Sequence, residues 1–133
     1  MNRWLGAAAA LSSVLAAAHI IGGTPDFLAP VLLSDLAPEV RAVAAIVWHG
    51  VSVLLIVNSA VLIAATMNRP AGRGGAVWVA LQYLGFTGLF LFYGITRLGN
   101  VTALPQWSVI GVISVLVFVG IRQGRRAGEA ATS

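Results

Sequence analysis

The run VRAVAAIVWHGVSVLLIVNSAVLIAAT, residues Val40 to Thr66, carries a single charge, Arg41 at its edge, and decides the fold class. A helix crossing a bilayer needs about 20 predominantly apolar residues, and this run exceeds that length. Working outward, three more runs of the same character appear, Trp4 to Ile21, Ala76 to Thr96 and Trp107 to Ile121. Away from water every backbone N–H and C=O must be bonded within the segment, which selects helices over an open sheet. The short alternating segments of barrel strands are absent. The expectation is an all-α integral membrane protein: a four-helix bundle with spans at about 4–21, 40–66, 76–96 and 107–121. Short loops make consecutive spans antiparallel, up and down, in a single transmembrane domain over 1–133. A disordered tail is expected from about 124 to 133.

Composition agrees. Hydrophobic residues make up 59% and charged residues 9% of the chain, against roughly 25% charged in soluble domains. All eight basic residues are arginines and the net charge is +4. They stand at the ends of apolar runs without aromatics between them, which is no footprint for nucleic acid. With no cysteine, disulfides, thiolate metal sites and thiol redox chemistry are excluded.

Arginine placement predicts orientation. Arg3, Arg69, Arg73, Arg122, Arg125 and Arg126 fall on one side of the four spans. Only Arg41 and Arg97 fall on the other, with Asp26, Asp35 and Glu39. By the positive-inside rule both termini and the middle loop are cytoplasmic, in a bacterial-type inner membrane. The start also resembles a secretory signal, with Ala16-Ala17-Ala18 as a small-residue cleavage site. Cleavage there would leave His19 at the amino terminus and three spans; the expected outcome is retention as a first span.

In the first outer connection Gly22-Gly23 is expected to end the first helix through left-handed glycine geometry. Phe27, Leu28, Val31 and Leu32 recur at helical spacing and predict a short helix in the interface. Pro38 and Pro105 suit the first turns of the second and fourth spans, where a missing N–H costs nothing. The stretch Asn68 to Gly75 reads as a flexible turn.

Polar residues inside spans mark either helix contacts or function. His19 and His49 come to similar depth near the outer side, and antiparallel neighbours can bring them together. Tyr93 and Arg97 lie near the outer end of a third-span stripe that includes Gln82 and Phe86. Trp48, Ser52, Gln106, Trp107 and Ser108 stand at the same level. A polar cluster is expected here. His19 and His49 are its candidate metal or haem ligands, Tyr93 and Arg97 candidate cofactor contacts, and Ser52, Trp48 and Gln106 its polar lining. The competing reading makes Trp48, Tyr93 and Trp107 an interfacial belt and lets Arg97 reach up to headgroups. Deeper, Ser12, Ser13, Asn58, Gln82, Thr87 and Ser114 are expected to bond between helices, with Gly85, Gly88, Gly94 and Gly111 permitting close approach.

The leading functional expectation is an accessory or assembly subunit packed in the bilayer against a larger membrane complex or in a homo-oligomer. A first alternative is electron transfer through one b-type haem held by His19 and His49, with Arg97 facing its propionates. A second is a small oligomeric transporter or channel, although no Asp or Glu lies inside a span to couple protons. No catalytic residues are assigned: no nucleophile triad, nucleotide loop or three-ligand metal motif is present, which argues against an enzyme acting alone.

The stretch Val40 to Ser52, with His19-Ile-Ile-Gly-Gly upstream, resembles a type of small bacterial four-span membrane protein. The resemblance covers about the first half of the chain. It implies the fold and no activity, and it groups His19, Trp48, His49 and Ser52 as one site.

Overall fold

The computed structural model describes residues 2–67 and 70–130. Among these all regular structure is helical: α1 (Arg3–Ile21), a π-helical turn (Thr24–Leu28), α2 (Ala29–Leu32), α3 (Pro38–Thr66), α4 (Pro70–Leu98) and α5 (Gln106–Ala130). α1, α3, α4 and α5 are each long and apolar enough to cross a membrane. No more than 28% of each span's most apolar window is buried within the bundle. Val43, Ile46, Val53, Ile56, Leu89 and Val115 all stand exposed on the outside. A water-soluble protein rarely leaves so large an apolar surface bare.

The four long helices form a ring. α1 packs against α3 and α5, α4 packs against the same two, and among the described residues no Cα atoms of the diagonal pairs approach within 8 Å. Small side chains at the crossings, Ala8, Ala9 and Ala16 on α1, Ala65 on α3, and Ala76 and Ala80 on α4, are buried and let the backbones close in. Tyr83, Leu62, Ile113 and Val117 fill the middle and are fully buried.

At one end Asn2 caps α1, its Oδ1 accepting from the N–H groups of Trp4 at 3.1 Å and Leu5 at 3.4 Å. Its Nδ2 donates to Gly120 O at 2.6 Å on α5. A cap that satisfies two free amide donors of the first turn thereby also ties α1 to α5. Trp4 Nε1 adds a 2.8 Å bond to Gln123 Oε1. Gly120 suits this close contact, since a Cβ there would lie 3.0 Å from Leu5 Cγ and 3.2 Å from the Leu5 backbone nitrogen.

Five local expectations are revised. Gly22 ends α1 in a right-handed conformation (φ −82°, ψ −44°), so left-handed geometry is not what these glycines supply. Gly23 instead makes room for Trp48: a Cβ would come within 2.7 Å of the indole. The expected helix of the first connection is split into the π-helical turn and the four-residue α2, with Leu28 buried and Phe27 and Leu32 exposed. Gly72 to Gly75 belong to α4, which opens at Pro70; Asn68 and Arg69 lie outside the described residues. The glycines there serve packing: a Cβ on Gly72 would lie 2.8 Å from Ala65 Cα, and one on Gly75 would lie 2.8 Å from Val61 Cγ1. α5 continues as helix to Ala130, past the expected start of a disordered tail, and residues 131–133 lie outside the described residues. Pro38 opens α3 as expected, whereas Pro105 stands just ahead of α5 and accepts from Ser108 N at 3.1 Å. α4 ends on Gly99 at φ 67°, where a side chain would be strained.

Candidate functional site

Two polar groupings occupy the bundle, one at the α1–α3 end and one in the core. At the first, the last turn of α1 presents His19 to Trp48 on α3. The rings stack with centroids 4.1 Å apart and planes 20° from parallel. His19 Nε2 lies 3.5 Å from Trp48 O, at the outer limit of a hydrogen bond. That same carbonyl accepts from Ser52 Oγ at 3.0 Å, one turn on. Phe27, from the π-helical turn, lies 6.2 Å from the indole. Gly23 closes beneath it. The unit is an aromatic clasp joining α1, the first connection and α3.

Of the residues expected to cluster here, His19, Trp48 and Ser52 do come together. His49 is exposed. Successive residues on a helix turn by about 100°, so a helix that aims Trp48 at His19 aims His49 elsewhere. Tyr93 is 49% exposed and meets Phe92 edge-on, with centroids 5.4 Å apart. Arg97 is exposed on the last turn of α4, the helix diagonal to α1. Among the described residues no side-chain hydrogen bond joins Tyr93 or Arg97 to either histidine. Gln106 Oε1 is buried without a hydrogen-bond partner. Bis-histidine haem ligation needs two imidazoles aimed at one iron; here one ring lies flat on an indole and the other is exposed. No group of three or more His, Asp or Glu side chains capable of holding a metal occurs among the described residues.

The second grouping lies deep in the core. Ser12 Oγ on α1 is 2.7 Å from Tyr83 Oη on α4 and 2.9 Å from Ser59 Oγ on α3. Ser12 and Tyr83 are fully buried and Ser59 is 7% exposed. The tyrosine thus reaches across the diagonal that the backbones do not bridge. Ser59 also donates to Leu55 O at 2.8 Å. Beside this trio Asn58 Nδ2 donates to Gln82 Oε1 at 3.3 Å, and Ser114 Oγ on α5 donates to Ala80 O on α4 at 3.1 Å. Ser13 and Thr87, also expected to bond between helices, turn back to their own carbonyls at Ala9 and Tyr83.

Tyr83, on which no expectation fell, organises the core. A signal was present. Interfacial tyrosines stand near span ends, whereas Tyr83 lies in the middle of its run, where a hydroxyl must find a partner. Chemically, these hydroxyls and amides hold helices together.

Comparison with protein-family models, with curated proteins and with solved structures returned no match. The fold and site define a class, a helical bundle with four candidate spans and a hydrogen-bonded core.

Proposed function

We propose that this chain is a four-span protein of a bacterial-type inner membrane that serves as an accessory or assembly subunit of a larger membrane complex. The observation that carries this reading is the closed, self-satisfied core. Tyr83, Leu62, Ile113, Val117, Ser12 and Ser114 fill the centre with no exposure, and the three buried hydroxyls bond to protein. A filled centre offers neither a conduit nor a reaction chamber, whereas the apolar exterior offers extensive surface to lipid and to neighbouring helices.

The spans run up and down. Supporting this, Trp4 at the start of α1 meets Gln123 late in α5, and His19 at the end of α1 meets Trp48 early in α3. The arginine-rich end, with Arg3, Arg73, Arg122 and Arg125, faces the cytoplasm. The segment from Thr24 to Leu32 rests in the outer interface, with Phe27 and Leu32 toward the headgroup boundary. The decisive experiment is purification of a tagged chain from native membranes in mild detergent. A larger membrane protein recovered in fixed stoichiometry is the expected result. Recovery of this chain without any other protein overturns the accessory role.

A further inference from the structure

Gln82 does not fit the pattern of a satisfied interior. It lies near the midpoint of α4 (Pro70–Leu98), roughly 18 Å along the axis from Pro70 at the helical rise per residue. That places it at the depth of the hydrocarbon centre, yet its side chain is on the exposed surface of the bundle. Its Oε1 accepts from Asn58 Nδ2 at 3.3 Å, and among the described residues its Nε2 donates to nothing. Acyl chains offer no acceptor, and an unpaired amide in hydrocarbon is costly. Something at that depth must accept from Nε2.

The surroundings say what. Gln82 lines a shallow apolar groove of about 350 Å³ with Leu54, Gly85, Phe86 and Leu89. Gly85 and Gly88 are open, with nothing within 4 Å of where a Cβ would stand. A helix can therefore approach this backbone closely. We infer that a second copy of this chain docks on this face, pairing Gln82 with Gln82 across a twofold axis normal to the membrane. A carboxamide is self-complementary, since each Nε2 donates to the other's Oε1. A twofold contact sets the same residue against itself. With all copies inserted in the one orientation proposed above, both amides reach the same depth. Leu89 and Phe86 of each copy supply projections for the hollow at Gly85 and Gly88. This dimer rests on the four helices crossing the bilayer and is independent of the accessory role.

The chain has no cysteine, so single cysteines report the contact without background. Leu89→Cys lies on the proposed face, and Val14→Cys, 64% exposed on diagonal α1, is the control. Oxidation in native membranes should convert Leu89→Cys to a disulfide-linked dimer and leave Val14→Cys monomeric. Adding Gln82→Leu should weaken the dimer roughly tenfold, as two interhelical hydrogen bonds are lost, and Gln82→Asn should retain most of it. Equal crosslinking at both positions, no crosslinking at Leu89→Cys, or crosslinking unmoved by Gln82→Leu overturns the proposal. An adduct with a different protein does so as well. Recovery of the chain outside the membrane fraction would overturn the bilayer reading itself, and the dimer with it.

Discussion

Replacing Tyr83 by Phe removes one oxygen from a fully buried side chain and leaves the ring in place. The lost bond is the 2.7 Å contact to Ser12, whose Oγ keeps its 2.9 Å contact to Ser59. No buried polar atom is stranded by this change. The expected cost is therefore one interhelical hydrogen bond in a bilayer environment, about 0.6 kcal/mol and at most about 1.7. Ser12→Ala is different, because it removes the shared partner. Tyr83 Oη would be left in a dry core without that bond, and the expected cost rises to about 1–3 kcal/mol. The double variant should cost less than the sum of the two, since the same bond is counted in both, with a coupling of about 0.5 kcal/mol or more. Tyr83→Ala adds a cavity and should cost about 3–5 kcal/mol. Reversible unfolding in mixed micelles of mild detergent and dodecyl sulfate, followed by far-ultraviolet circular dichroism, measures all four. Strict additivity of Ser12→Ala and Tyr83→Phe would refute the reasoning, because it would mean that the two hydroxyls do not meet.

The glycine crossings make a paired prediction. Gly72→Ala, whose Cβ would press on the Ala65 backbone at 2.8 Å, should destabilise by about 1–3 kcal/mol; Gly74→Ala, with open space around it, should be neutral or stabilise by up to about 1 kcal/mol. The same unfolding measurement reads both, and a larger loss at Gly74 would refute the packing argument. Gly23→Ala should push the Trp48 ring off His19, seen as a changed near-ultraviolet dichroism band; an unchanged band would mean that the clasp is absent. For topology, cysteines placed at Leu36 and at Gln123 should respond oppositely to a membrane-impermeant maleimide. Leu36→Cys should label in intact cells and Gln123→Cys only after lysis, and the reverse pattern would invert the orientation. Protein purified in mild detergent should show no dithionite-reduced α band; a band lost in both His19→Ala and His49→Ala would overturn the placement of His49.

The helices themselves were legible because their cause is local. A run such as Val40 to Thr66, long, apolar and charged only at its edge, forms a helix that satisfies its own backbone whatever surrounds it, so its state can be read without knowing its neighbours. Pro38 at the head of α3 was legible for the same reason, since its missing N–H is a property of one residue. The glycines were misread where their role depended on a neighbour. Gly23 exists for the Trp48 ring and Gly72 for the Ala65 backbone, and neither partner is adjacent in sequence.

The candidate site shows the same division. The ring that His19 meets is Trp48, and the neighbouring His49 is turned elsewhere. Spacing sets the depth of a side chain closely, because the rise per residue is constant. The direction it faces depends on how its helix is rotated in the bundle, and an offset of one residue swings that direction by about 100°. Apolar residues all round α1, α3 and α4 leave little amphipathic stripe to mark the inward side. The sequence by itself therefore determined how many helices are long and apolar enough to cross a membrane and where along each of them the polar groups fall. Only the tertiary structure decided that Tyr83 meets Ser12 across the diagonal and that Gln82 is left on the outside, because only packing sets the rotation of one helix against another.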